Sequence, residues 1–242
     1  RFILRIMITN VFPNPTEAAR AHVERILNLI KAEDQNEYHI ALSGGSTPAL
    51  MFDLWAKEYS HLTPWKKLRF YWVDERCVAP DDAESNYGMA YQHLLSKVPV
   101  PESHIYRIDG ENEPEEECKR YSELVSKKTP LEDGLPVFDI VLLGAGDDGH
   151  TSSIFPGQEH LLTTPEIYAV GVHPESGQKR IALTGKPIMN AKHVIFFVTG
   201  EKKKSVVLAI KGVGNNGPAA YVAHHAKHAV EIFTDNAAAD EG

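Results

Sequence analysis

Hydrophobic residues along this chain occur either in short continuous runs or at intervals of three and four positions. The continuous runs, which predict strands, cover residues 1–8, 38–42, 68–73, 104–108, 137–143, 168–172, 180–184, 193–199 and 229–234. The helical interval is clear in residues 16–31, where Ala19, Val23, Ile26 and Ile30 recur on one face. Further helices are predicted at 48–55, from a Ser85 cap to 98, at 114–128 and at 201–210.

This alternation of strands and helices indicates the fold class. The run at 68–73 (LRFYWV) does not alternate with polar residues, as in strands that are buried on both faces. Strands separated by helices predict a parallel sheet with helices on both faces. We therefore expect one Rossmann-like α/β domain spanning residues 1–242. Ligands of such sheets bind at the loops that follow the carboxyl ends of the strands.

Composition and charge narrow the class of function. The chain has 242 residues, 43% of them hydrophobic, and a formal net charge of −8. This charge argues against nucleic-acid binding and against an anionic membrane surface, since both require a basic face. The two cysteines, Cys77 and Cys118, do not suggest a disulfide framework, and the apolar N-terminal stretch is too short for a signal peptide or a membrane span. We expect a cytoplasmic protein, either a monomer or a small homo-oligomer.

The first candidate loop, LSGGSTP at 42–48, follows a predicted strand. Gly44 and Gly45 let the backbone approach a ligand closely, with amide groups free to face an anion. Thr47 is predicted to cap the next helix and Pro48 to occupy its first position. The helix N-terminus would add partial positive charge. An ordinary strand-to-helix connection has the same pattern, and the Gly-Lys-Ser/Thr ending of a Walker loop is absent.

A second candidate loop, Asp74-Glu75-Arg76, follows the strand at 68–73. Charged residues at the carboxyl end of a buried strand stand where α/β enzymes keep their chemistry. A solvated loop with a local salt bridge is the alternative interpretation.

The third candidate loop, GAGDDGH at 144–150, contains the GxGxxG pattern of dinucleotide-binding folds. Two acidic residues, Asp147 and Asp148, stand where a pyrophosphate would lie, and Pro156-Gly157 interrupts the helix that should follow. Both features disfavour nicotinamide or flavin binding. We instead expect the glycines to place His150 in a crevice beside a carboxylate, which suits general-base catalysis.

Several motifs resemble the 6-phosphogluconolactonase family. They are LSGGSTP at 42–48, VDER at 73–76, LLGAGDDGHTSSIFPG at 142–157, RIALT at 180–184 and VTGEKK at 198–203, in the family's order. The family shares a Rossmann-like fold with glucosamine-6-phosphate deaminases. The resemblance implies hydrolysis of a phosphorylated sugar lactone in the oxidative pentose phosphate pathway.

The resemblance also assigns roles to residues. His150 is the expected general base, and Asp74 or Asp148 orients it, the sequence leaving open which one contacts it. The substrate phosphate is expected to contact the loops that contain Ser43, Gly44, Gly45, Thr47, Arg76, Arg180 and Lys203. Lys203 is chosen from three consecutive lysines by the spacing of the TGxxK motif. We expect no cofactor and no metal, because an activated ester needs neither.

Two other functions are alternatives to lactone hydrolysis. Deaminases carry a glutamate five positions after the histidine and an aromatic residue after Asp-Glu, whereas this chain has Phe155 and Arg76. Both differences favour the lactonase. A non-catalytic sugar-phosphate sensor is the other alternative. The chain departs from the family at residues 221–225, and His224 and His228 have helical spacing without the other ligands of a metal site.

Overall fold

The computed structural model describes residues 7–214 and 217–239. Its strands are β1 (Met7–Phe12), β2 (Tyr38–Leu42), β3 (Leu68–Trp72), β4 (Asp74–Arg76), β5 (Leu131–Glu132), β6 (Leu135–Pro136), β7 (Ile140–Leu143), β8 (Tyr168–Val172), β9 (Lys179–Leu183), β10 (His193–Phe197) and β11 (Ala229–Asp235). Its α-helices are α1 (Pro15–Ala32), α2 (Ser46–Glu58), α3 (Asn86–His93), α4 (Pro114–Lys128), α5 (Gly185–Asn190), α6 (Lys204–Ile210), α7 (Pro218–His225) and α8 (Asn236–Ala239). The strand predicted over residues 1–8 therefore has its first six positions outside the described residues.

Six strands form the parallel sheet that the sequence predicts. Their order is β1-β11-β10-β7-β2-β3, and every neighbouring pair is parallel. The central strands β2 and β7 are buried at every position because helices flank the sheet. Since β10, β7 and β2 lie side by side, the loops at their carboxyl ends converge on one edge of the sheet.

A second, antiparallel sheet of three strands, β4-β9-β8, corrects part of the sequence interpretation. The segments at 168–172 and 180–184 are strands, as predicted, but they do not extend the parallel sheet, and Asp74–Arg76 is a strand rather than a loop. Val73 joins the two sheets. Its amide donates to Leu42 O of β2 at 2.8 Å, while its carbonyl accepts from Leu183 N of β9 at 2.7 Å.

Local predictions at three helix or strand starts had mixed outcomes. Ser85 caps α3 as predicted, with its hydroxyl accepting from Gly88 N at 3.0 Å, although α3 ends at His93. The prediction that Thr47 caps α2 was wrong, because the helix begins at Ser46 after Gly45, whose φ of 112° suits glycine alone. The strand predicted at 104–108 was also wrong: Ile105 forms only an isolated bridge with Phe70.

A histidine side chain is buried between α1 and the parallel sheet. His22 of α1 is 1% exposed and packs against the rings of Phe197 and Phe233, at centroid distances of 5.2 and 5.1 Å. Neither ring nitrogen has a hydrogen-bond partner among the described residues. Burial lowers the pKa of His22 to about 3, so the ring is neutral in the folded protein.

Among the described residues, no helix is both long enough and apolar enough to cross a membrane.

Candidate active site

A cavity of about 240 Å³ opens where the loops of the two sheets meet. It is bordered by the loops after β2, β7 and β10, and by the facing strands β4 and β9. Nine of the sequence-predicted site residues line it: Ser43, Gly44, Gly45, Thr47, Asp74, Arg76, His150, Arg180 and Lys203. The tenth, Asp148, lies behind His150 and borders a neighbouring cavity. The three loops and the two strands thus bring all the candidate residues to one place.

The β2–α2 loop contributes backbone to this cavity. Ser43 donates its hydroxyl to Leu142 O at 2.5 Å, which fixes the start of the loop to β7. A side chain on Gly44 would overlap the amide oxygen of Asn86, so glycine is required there by close packing. Gly45 and Ser46 then lead into α2, whose first amide groups provide partial positive charge.

His150 and Asp148 form a hydrogen-bonded pair after β7. Asp148 Oδ1 lies 2.6 Å from His150 Nδ1 and also accepts from the His150 amide at 3.0 Å. Burial would raise the pKa of Asp148, but these hydrogen bonds and the nearby imidazole lower it below its ordinary value. A side chain on Gly146 would overlap both partners. Because a carboxylate only accepts hydrogen bonds, Nδ1 donates to Asp148, and in the neutral form of the ring Nε2 then keeps its lone pair.

Phe155 joins this pair to the other sheet. The ring is 1% exposed, and its centroid lies 4.7 Å from that of His150 and 5.5 Å from Arg180 Cζ. A second histidine, His173, contacts another part of the same ring at 5.3 Å. Phe155 therefore separates the histidine from the guanidinium while touching both.

Arg76 and Arg180 face each other across the antiparallel strands β4 and β9. Directly opposed residues project on the same side of a sheet, where like charges repel. Arg76 donates to Glu84 O at 2.7 Å and Arg180 to Gln178 Oε1 at 3.2 Å, but neither forms an ion pair with a carboxylate within residues 7–214 and 217–239. Burial, and then the charge of Arg76, lower the pKa of Arg180 from its ordinary value. The charges of Asp74 and Glu84 act on Arg180 in the opposite direction, but without an ion-paired carboxylate the two cations are suited to binding an anion.

The third cation, Lys203, differs from this pair. Its Nζ donates to Ala145 O at 2.8 Å and lies 3.0 Å from Asp147 Oδ1. Lys203 is therefore already compensated and ties the turn before α6 to the loop after β7.

Asp74 is 7% exposed at the start of β4. Its Oδ2 accepts from Ser153 Oγ at 2.6 Å and its Oδ1 from Asn86 Nδ2 at 3.3 Å. Within the described part of the chain it makes no hydrogen bond to His150. Of the two carboxylates that the sequence left open, the structure brings only Asp148 into contact with the histidine.

Three residues that shape the cavity were not predicted from the sequence. Asn86 lines it from the first turn of α3, and Ser152 lines it from the loop after His150. Ser152 has a φ of 54° and donates to Leu183 O at 3.1 Å, which attaches this loop to β9. Ser153 donates to Asp74, 79 positions earlier. Contacts at such separations leave no local pattern, although Ser85 had marked the start of α3.

Among the described residues, no cluster of three or more His, Cys, Asp or Glu could hold a metal ion. His224, half of the histidine pair noted in the sequence, has its Nε2 3.0 Å from Ile210 O.

Comparison with known proteins places the chain in a family. A family profile described as "Glucosamine-6-phosphate isomerases/6-phosphogluconolactonase" matches residues 13–231. The chain belongs to this family. Within the glucosamine-6-phosphate isomerase/6-phosphogluconolactonase family, a 6-phosphogluconolactonase from Treponema pallidum (strain Nichols) is 41% identical over 196 residues, covering 80% of this chain and 81% of that protein. One from Haemophilus influenzae is 43% identical over 184 residues, 76% of this chain and 77% of that protein.

Solved structures of the family agree with the sequence relatives. The 6-phosphogluconolactonase from Trypanosoma brucei has a TM-score of 0.89 at 31% identity, covering 98% of both chains. A monomeric glucosamine-6-phosphate deaminase has a TM-score of 0.77 at 19% identity, covering 97% of this chain and 99% of that chain. The second similarity shows the shared family fold alone.

Proposed function

We propose that this protein hydrolyses 6-phospho-D-glucono-1,5-lactone to 6-phospho-D-gluconate, a step of the oxidative pentose phosphate pathway. The observation that carries the proposal is one cavity lined by His150, which Asp148 holds from behind, and by the Arg76–Arg180 pair, which has no ion-paired carboxylate among the described residues. The first pair suits proton transfer and the second suits a phosphate. Relatives that are at least 40% identical and named 6-phosphogluconolactonases support the same activity.

The geometry suggests the order of the chemical steps. His150 Nε2 takes a proton from water while the water oxygen forms a bond to the carbonyl carbon of the lactone. The carbonyl oxygen then carries the negative charge. When this intermediate collapses, the bond to the ring oxygen breaks and the imidazolium returns its proton to that oxygen. Asp148 stabilises the imidazolium between the two transfers, because its carboxylate lies 2.6 Å from Nδ1.

The phosphate is remote from the reacting carbonyl, so its contacts orient the substrate instead of activating it. Arg76 and Arg180 are free to bind it, with Lys203 and the backbone of Ser43, Gly44, Gly45 and Thr47 around the same cavity. Charge-assisted hydrogen bonds are each worth about 1.5–3 kcal/mol, enough for a few of them to offset the repulsion from a net charge of −8.

The deciding experiment is an acid-release assay with freshly prepared 6-phosphogluconolactone, corrected for spontaneous hydrolysis. We expect enzyme-dependent proton release that survives EDTA treatment followed by gel filtration. Glucosamine 6-phosphate serves as the second substrate, and we expect it to release no ammonia. Steady ammonia release would assign the protein to the deaminases, and binding without turnover would make it a sugar-phosphate sensor.

We also propose a cytoplasmic enzyme that works as a monomer or small homo-oligomer. Cys77 and Cys118 are free thiols, which supports a reducing compartment. Sedimentation velocity would determine the oligomeric state.

A further inference from the structure

Asp74 is a buried carboxylate that the proton transfer leaves unused. It lines the cavity and forms no ion pair with the described residues. Its two hydrogen bonds, from Ser153 and Asn86, leave acceptor capacity on both oxygens. A buried charge without an ion pair is costly, so such a group needs further donors.

Asn86 presents a second acceptor beside it. Its Nδ2 donates to Asp74 O at 3.0 Å and to Asp74 Oδ1 at 3.3 Å, which commits the amide nitrogen. Its Oδ1 accepts no hydrogen bond from the described residues, yet it is not among the fully enclosed polar atoms. The missing side chain at Gly44 gives this oxygen its room.

Both acceptors are held in place before any ligand binds. The Asn86 amide donates to Glu75 Oε1 at 2.7 Å, and Ser85 Oγ donates to Glu75 Oε2 at 2.9 Å. Glu75 is itself buried, so it fixes the start of α3 against β4. Ser153 fixes the other side of Asp74. The two acceptors therefore form a rigid part of the cavity wall.

The charged groups that line the cavity differ in what they can bind. Arginine, lysine and the amide groups at the start of α2 donate and suit a phosphate, whereas Asp74 is the one carboxylate among the described lining residues and can accept from the hydroxyl groups of a sugar. Taking the proposed function as given, we infer that Asp74 and Asn86 form a subsite that binds ring hydroxyl groups of the sugar. In this assignment Asp74 determines which sugar is held and does not orient His150.

The test measures binding with two stable probes, 1,5-anhydroglucitol 6-phosphate and inorganic phosphate. The first carries ring hydroxyls and no reactive carbonyl, and the second carries only the anion. In Asp74→Asn we expect the Kd of the sugar phosphate to rise about tenfold, as for loss of a hydrogen bond to a charged group. The Kd of phosphate should stay the same or fall, because a negative charge near Arg180 has been removed.

Asp147→Asn is the matched charge control. It removes a carboxylate beside Lys203 on the other side of the cavity, so both probes should bind more tightly by similar factors. If Asp74→Asn also changes both Kd values by the same factor, Asp74 acts only through charge or structure and the inference is wrong.

Ligand deletion provides a second arm that does not depend on one variant. At least one monodeoxy analogue of the sugar phosphate should bind the wild type about tenfold more weakly than the parent. In Asp74→Asn, which keeps a neutral acceptor oxygen, the analogue and the parent should differ in Kd by a clearly smaller factor than in the wild type, and the same is expected of Asn86→Ala if the first variant does not fold. Equal losses in wild type and variant overturn the subsite. Because no step uses turnover, absence of lactonase activity in the wild type would refute the proposed function separately.

Discussion

The two sheets of this protein supply different chemistry to one cavity. The loops of the parallel sheet bring polar groups that are already paired, as in His150 with Asp148 and Lys203 with Asp147. The three-stranded sheet brings Arg76 and Arg180, opposed in register and without a carboxylate partner among the described residues. Under the proposed function, this difference predicts that the first sheet provides proton transfer and that the second provides the main contacts to the phosphate.

The largest expected effect separates the chemistry from the binding. Replacing His150 with Ala should lower kcat by ~10²-fold or more, because a general base is lost, while inorganic phosphate should bind as before. Stopped-flow proton release and calorimetry measure the two quantities. His173→Asn, at the other histidine against Phe155, is the control and should leave kcat within about twofold, because His173 Nδ1 accepts from the amide groups of Glu175 and Ser176 and is not paired with a carboxylate as His150 is. A His150→Ala enzyme with half the native rate would contradict the assignment.

The opposite pattern is expected from the three-stranded sheet. Arg180→Ala should raise KM for the phosphorylated lactone roughly tenfold or more, with a smaller change in kcat, because one charge-assisted hydrogen bond to the phosphate is lost. The rate on unphosphorylated gluconolactone should barely change. Lys179→Ala removes the same charge from the adjacent, exposed position of β9 and is the control. Equal losses on both substrates would show that Arg180 supports structure or chemistry instead.

Phe155 contacts a residue from each side of the cavity, so its replacement should affect catalysis and substrate binding together. Phe155→Leu keeps an apolar side chain but loses the ring that touches both His150 and Arg180, so kcat and KM should worsen together, roughly three- to tenfold each. Steady-state kinetics on the phosphorylated lactone measure both. Phe138→Leu, a buried ring against Tyr71 before β7, should cost similar stability without a kinetic effect. A change in only one constant would mean that Phe155 serves only one sheet.

No effect on turnover is expected from replacing His22, which is buried between α1 and the parallel sheet. Its folded pKa of about 3 lies below the ordinary value of about 6.5, so the folded state favours the neutral ring. The stability this provides is complete above pH 6.5 and is lost as the pH falls towards 3, by up to about 1.4 kcal/mol per pH unit. His22→Leu should therefore flatten the fall of Tm between pH 6.5 and 4.5. The exposed His61→Leu should not, and parallel Tm curves for wild type and His22→Leu would contradict the account.

Much of the fold was predictable because buried strands leave continuous hydrophobic runs. The run at 180–184 identified a strand but not its sheet, since partner choice depends on Val73, whose carbonyl bonds to Leu183 from more than a hundred positions away. The Gly-rich loop after β7 located His150, and the charged residues that follow the hydrophobic run at 68–73 located Arg76, so both signals were local in sequence. Asn86 escaped notice because its importance comes from contacts with Asp74 and Gly44 that only the folded chain creates.

Because Arg76 lies directly opposite Arg180, binding of an anion should also change the stability of the folded protein. While the cavity is empty, the repulsion between the two guanidinium groups opposes the pairing of strands β4 and β9. A dianion that neutralises the pair removes that repulsion, and any ligand that binds only the folded state adds about 2.7 kcal/mol at one hundred times its Kd. If the pair binds the substrate phosphate as proposed, the folded protein is most stable when the cavity is occupied, and a phosphate buffer should raise the stability measured for the enzyme without substrate.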